Sequence, residues 1–228
     1  MSLLEYSKSY APTYLDLVQI SKDHEKIHWH EDEVQLSTDM KQWAIGEISA
    51  PEKDLIKNIL RLFTSSDVAV GQAYYEKIIP VIKNNEARGM LGSFAAREQI
   101  HQRGYALLSD TLGFGEDFYL EFLEYQEMAE KFEFMNRSIG GTLEDFAVYL
   151  AKQVLIEGVN LFASFAMLLN FDRLGKMPGM CDVVRWSLQD EAKHLEGSSI
   201  LFRILLDETP ELVTDKFKSL IYSTADEL

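Results

Sequence analysis

The chain has 228 residues, 46% of them hydrophobic, one Cys and a formal net charge of −15. This length and apolar content bury one good-sized core, so one domain over residues 1–228 is expected, and the acidic balance argues against nucleic-acid partners, which need clustered Lys and Arg. Cys181 has no second Cys to pair with, no basic-then-apolar leader opens the chain, and no uncharged apolar run reaches the roughly 20 residues of a membrane span; a soluble cytoplasmic protein without a membrane partner is expected.

Glycine and proline are few, apolar residues recur every 3.6 positions almost throughout, and alternating β-branched runs are absent, so the class is all-α. Tyr14 to Ile27 forms a first amphipathic helix leading into His28-Trp29-His30-Glu31. Glu25-x-x-His28 lies at its end, in charged surroundings that read as a solvated helix terminus. Ser49 caps the next helix, with Glu52 three residues on and Pro51 in the first turn, and the helix runs to about Lys77. Leu55, Ile59, Leu62, Phe63, Val70 and Tyr74 mark its core stripe, and Asp67 falls among them.

Leu91 to Thr111 is a helix carrying Glu98-x-x-His101-x-x-x-Tyr105. A helix turns about 100° per residue, so the carboxylate, the imidazole and the phenol share one face. Phe94, Ile100, Leu107 and Leu108 read as buried, and burying an ionised Glu without a partner costs several kcal/mol. Gly113 and Gly115 close this helix, and Phe118 to Met135 is expected to be a mixed acidic helix. After Gly140-Gly141, Thr142 caps an apolar helix from Leu143 to about Asn170, with Phe146, Leu150, Val154, Leu161, Phe165 and Leu168 on its stripe and Glu157 inside it. Gly175 and Pro178 punctuate, and Asp182 to Leu206 carries a second buried motif, Glu191-x-x-His194. Thr209-Pro210 opens a last helix.

Two Glu-x-x-His helices facing two helices with one acid each form a dinuclear metal site. The order is Asp67, Glu98-x-x-His101, Glu157, Glu191-x-x-His194, at spacings of 31, 59 and 34 residues. Carboxylates bridge paired cations, and one imidazole per metal leaves open positions, so iron or manganese suits this set better than zinc or calcium.

These motifs, with the lead-in HWHEDEVQLSTD and the pair Asp190-Glu191, resemble the radical-generating small subunit of class I ribonucleotide reductase over about Ile27 to Leu206. The resemblance implies a ferritin-like helical bundle whose six ligands hold two iron ions, or an Mn/Fe or two-manganese pair, activated by dioxygen. It implies a tyrosyl radical on Tyr105, a transfer path through Trp29 and Asp190, and a radical pocket walled by Leu161 and Phe165. It also implies a homodimer that works with a separate large subunit in reducing ribonucleotides to deoxyribonucleotides. Ser187 and Gln189 are more polar than is usual in that family. Only 34 residues follow His194, where relatives carry further helices and a docking tail; Tyr222, on the apolar period of Phe217 and Leu220, is a weak stand-in for the tail's Tyr. A di-metal oxidase or hydroxylase acting on its own substrate and an iron-binding bundle without turnover are the alternatives with the same ligand set.

Overall fold

A computed structural model describes residues 2–227; Met1 and Leu228, the ends of the expected domain, lie outside the described residues. Nine α-helices follow one another among these residues: α1 Leu15–Lys26, α2 Ser37–Ile45, α3 Ala50–Gln72, α4 Asn85–Thr111, α5 Gln126–Asn136, α6 Leu143–Leu155, α7 Leu161–Leu169, α8 Pro178–Glu208 and α9 Asp215–Asp226. No strand occurs among the described residues. A π-helical turn, Ala73–Ile78, extends α3, and another, Ile156–Asn160, joins α6 to α7 in one long rod.

The caps follow the sequence. Ser49 N donates to Glu52 Oε2 at 2.8 Å, closing the expected capping box, and Glu52 also receives Lys176 Nζ at 2.7 Å. Asn84 accepts from Ala87 N at 3.0 Å to start α4. The longest helix, α8, starts earlier than expected because Pro178 opens its first turn and the buried Asp39 carboxylate, carried by α2, accepts from Gly179 N and Met180 N at 2.9 and 2.8 Å. Three expectations need correction. Phe118 to Met135 is two short 3₁₀ turns, Glu116–Tyr119 and Glu121–Glu124, before α5, and Leu120, Leu123 and Tyr125 stay exposed, so no continuous stripe is buried there. The last helix is capped by Thr214, which accepts from Phe217 N, with Pro210 confined to a preceding turn. Leu55 is 38% exposed and lies off the α3 stripe.

Helix α3 packs on α4, α4 on α8, and the α6–α7 rod on α8, while α1 lies across α4 and α8. Two glycines permit close approach against α8: a Cβ on Gly197 would sit 2.7 Å from Met90 Sδ and from the Phe94 ring, and one on Gly158 would sit 2.5 Å from Leu195 Cδ1. The rod Leu143–Leu174 is long and apolar enough to cross a membrane by length and composition, a property it shares with core helices of globular bundles. Here its inner face meets α8 and carries a buried carboxylate.

The core divides into two apolar clusters. One contains Leu17, Val70, Tyr74, Phe94, Leu150, Ile156 and Leu201; the other contains Trp29, Phe63, Tyr105, Leu161, Phe165 and Val184. The long helices α3, α4 and α8 and the α6–α7 rod each cross from one cluster to the other and carry a carboxylate at the crossing: Asp67 between Phe63 and Val70, Glu98 between Phe94 and Tyr105, Glu157 between Ile156 and Leu161, Glu191 between Val184 and Leu201. The acids therefore form a polar layer between two apolar ones.

Candidate metal centre

Asp67, Glu98, His101, Glu157, Glu191 and His194 are each at most 3% exposed. One ligand atom from each of Glu98, Glu157, Glu191 and His194 falls within 4.8 Å of the others. His194 Nδ1 lies 3.1 Å from Glu98 Oε1 and 3.4 Å from Glu191 Oε2, while His101 Nδ1 lies 3.2 Å from Glu191 Oε1 and 3.6 Å from Glu98 Oε2. The two Glu-x-x-His motifs therefore interlock, each imidazole facing the carboxylates of both helices. Asp67 stands at the edge of this group, close enough that the Glu98 and Glu191 charges act on it.

Glu157 sits in the π turn. The extra residue in that turn shifts the helical register, so that Gln153, Ile156 and Glu157 are buried while Val154, expected on the stripe, is only half-buried. Gln153 Nε2 and Tyr74 Oη both donate to Glu157 Oε1, at 2.9 and 2.7 Å, leaving Oε2 unpartnered.

Electrostatics shows what the layer lacks. Burial, aided by Glu98, raises Asp67 well above the ordinary carboxylate range, and burial, with Glu191 and Glu98, pushes Glu157 up to about 8. Against the opposing effect of burial, Glu191 and Glu98 drive His194 up to about 10, and His194 with His101 holds Glu191 down to about 2. Seven buried atoms without a hydrogen-bond partner belong to this one group: Asp67 Oδ2, both oxygens of Glu98, Glu157 Oε2, Glu191 Oε2 and both ring nitrogens of His194. Orphaned buried acceptors cost roughly 1–3 kcal/mol each, more when charged. Four carboxylates (−4) with two neutral imidazoles match two divalent cations (+4), and hard oxygen donors with one nitrogen per ion suit iron or manganese.

Around the layer, Asp190 is a hub. Its Oδ2 accepts from Trp29 Nε1 at 2.8 Å and meets His101 Nε2 at 3.0 Å, while Oδ1 lies 3.5 Å from His24 Nε2 and 3.6 Å from Arg97 Nε. Burial opposes it, but the contacts with His101 and His24 hold Asp190 well below the ordinary carboxylate range. The Trp29 ring stacks on His101 at 5.8 Å between centroids, and Arg97 Nη1 fixes the Trp29 carbonyl at 3.1 Å. His24 and Tyr74 are absent from the ligand pattern, and each carries a signal: His24 is the apolar-face position four residues after Ile20, and Tyr74 lies seven after Asp67, two turns on along the same face.

Tyr105 is buried on the other side, its hydroxyl without a well-formed hydrogen bond and the Ser187 Oγ beside it likewise unpartnered. Burial first, then the Asp67 charge, raises the phenol well above its usual range. Leu161 and Phe165 share its apolar cluster, but the ring against Tyr105 is Phe63, at 4.9 Å, with Phe165 tilted behind Phe63 at 5.0 Å. Gln189 is exposed and stands away from this pocket, and Tyr222 is 70% exposed, off the apolar face of α9 that Phe217 buries. Glu25 and His28 are exposed as expected.

Helices that contribute Glu-x-x-His twice and single carboxylates twice to a buried layer define the ferritin-like class of helical bundle. Within that class, the profile of the ribonucleotide reductase small chain matches residues 8–228, and the chain belongs to that family. A probable ribonucleoside-diphosphate reductase small subunit of Invertebrate iridescent virus 6 is 38% identical over 224 residues, covering 91% of this chain and 62% of the relative's length. The ribonucleotide reductase R2 subunit from Clostridium botulinum superposes with a TM-score of 0.84 at 18% identity, covering 94% of this chain and 71% of that one. Dimanganese(II)-NrdF from Streptococcus sanguinis superposes with a TM-score of 0.80 at 15% identity, covering 98% and 80%. The chain thus spans somewhat under two thirds of its curated viral relative.

Proposed function

We propose that this chain is the radical-generating subunit of a class I ribonucleotide reductase, in which Asp67, Glu98, His101, Glu157, Glu191 and His194 hold two iron or manganese ions. The observation that carries this reading is the convergence of seven unpartnered buried atoms in one layer with a buried phenol behind it, in a chain of that family. The bound pair would supply the oxidising power, after reaction with dioxygen, to take one electron from Tyr105. The protein's own part is to hold and protect. Phe63, Phe165 and Leu161 keep water from the Tyr105 ring, and since a buried cation radical would be costly, the phenolic proton would leave with the electron to a base on the carboxylate side, where the Asp67 charge already acts on the phenol. Asp190 fixes the His101 ring through Nε2 and ties it to Trp29, so electron and proton have one continuous route from the layer to the Trp29 edge.

A homodimer that docks a separate large subunit carrying the nucleotide site completes the proposal. Electron paramagnetic resonance of metal-loaded, oxygen-exposed protein tests it: a tyrosyl signal is expected in the wild type and none in Tyr105→Phe with both metals retained. Metals that oxidise without any radical would favour a stand-alone oxidase. Ribonucleotide reduction should then appear only when a large subunit is added.

A further inference from the structure

Six side chains that are almost wholly buried raise the question of how cations reach them. A surface cavity of about 240 Å³ opens between α1 and α4, lined by His24, Glu25, His28, Ser93, Ala96 and Arg97. Its mouth carries Glu25 and His28, both exposed. His24, 1% exposed, is its inner wall, and the His24 ring packs on that of His194 with centroids 5.0 Å apart. The cavity therefore reaches within one side chain of the carboxylate layer.

The donors along it suit the same ions as the centre. A carboxylate and an imidazole stand at the mouth, and a hydroxyl and a second imidazole at the inner end, where His24 Nδ1 meets Ser93 Oγ at 3.0 Å. Ser93 Oγ also donates to the Met90 carbonyl at 2.9 Å, so its hydroxyl proton is used and the His24 Nδ1 carries the proton between them. That turns His24 Nε2 inward, with no hydrogen bond of its own but 3.5 Å from Asp190 Oδ1, on a ring lying against His194. The one cation in the lining, Arg97, is engaged elsewhere: its guanidinium binds the Ile27 and Trp29 carbonyls and lies beside Asp190.

We propose that this cavity is the loading vestibule of the metal centre: Glu25 and His28 take a divalent iron or manganese ion from solvent, and His24 relays it to His194. Glu25, the one acid in the lining, offsets the Arg97 charge, and its removal leaves a cleft that repels an entering cation, so the mouth residues act on the rate of uptake and leave the final occupancy alone. The inference rests on the ligand assignment proposed above.

The test is the uptake of Mn(II) by the metal-free full chain, followed through loss of the free aquo-ion's paramagnetic signal and closed by elemental analysis. In the double variant Glu25→Gln/His28→Gln, uptake should slow by about tenfold, the lower end of electrostatic focusing in clefts, with the wild-type number of ions per chain at the end point. Ala96→Phe, which fills the cavity from an exposed α4 position and leaves the donors in place, should slow uptake similarly. Glu211→Gln, an exposed acid elsewhere, should load at the wild-type rate. Unchanged rates in both vestibule variants with full final occupancy would overturn the vestibule alone. A wild-type chain that binds no Mn(II) would overturn the ligand assignment and the vestibule together.

Discussion

Trp29 and Asp190, 161 residues apart in sequence, are joined by a 2.8 Å hydrogen bond from the indole N–H to the same carboxylate oxygen that meets His101 Nε2. One oxygen thus links the lead-in segment after α1 to a side chain of the buried layer. Replacing Asp190 by Ala removes the partner of two buried groups at once, at roughly 1–3 kcal/mol each, and frees the His101 ring. Denaturant titration should show the loss of stability. Metal affinity should fall about 10–100-fold, the usual effect of removing a carboxylate behind a ligating His, and an unaltered dissociation constant would count against that role.

The ligands themselves make a second prediction. His101→Ala and Glu191→Ala should each lower the metal content below two ions per chain by elemental analysis. Loading should stabilise the wild type by about 2.7 kcal/mol for each bound ion at a free metal concentration one hundred times Kd. For a chain of this size each ion then raises Tm by roughly 5–11 °C, and calorimetry of the apo and loaded forms reads it directly.

Loading should also release protons. In the metal-free chain His194 is raised to about 10 and Glu157 to about 8, so both carry protons at pH 7. Coordination needs them deprotonated, so protons compete with the metal and affinity rises with pH, through 8 and on toward 10. Titration calorimetry in two buffers of different ionisation enthalpy should report net proton release per chain at pH 7; no release would contradict the raised values.

The ring against Tyr105 gives a fourth test. Phe63→Leu should open the pocket while leaving the six ligands intact, shortening the lifetime of a tyrosyl signal at unchanged metal content. Leu161→Ala should act the same way and cost about 2–5 kcal/mol of stability as a core truncation. Ser187→Ala, which removes an unpartnered hydroxyl beside the phenol, should leave stability nearly unchanged.

At the surface, Glu52 is held down to about 2 by Lys176 and by Ser49. A folded-state value below the ordinary 4.5 means that this contribution is complete above pH 4.5 and is lost as pH falls toward 2. Wild type and Glu52→Gln should therefore differ in Tm at pH 6 and converge near pH 2.

The helices and the carboxylate layer were legible because both rest on period. Asp67 and Glu157 each interrupt an apolar stripe, and both lie in the layer. What was hidden depends on contacts between distant segments or on departures from 3.6. The π turn at Glu157 changes the register by one residue, which no periodic reading anticipates, and so Gln153 took the place expected of Val154. Phe63 was read as ordinary core because its contact with Tyr105 crosses from α3 to α4. His24 belongs to no ligand motif, and its place in the site depends on a contact between α1 and α8, where its ring lies against His194. The α2 helix, short and weakly patterned, holds its place through tertiary contacts such as that of Asp39 with the start of α8. In the stretch 118–135, charge without a continuous stripe was taken for a helix.

The polar layer that separates the two apolar clusters divides the folded chain mechanically as well as chemically. Each half has its own dry packing, and between them, without cations, lie buried polar atoms that have no hydrogen-bond partner. Backbone amides on the two sides should then exchange with deuterium in separate opening events in the metal-free chain, one half opening while the other stays closed. With two cations in the layer, the halves should open together and their exchange rates should merge.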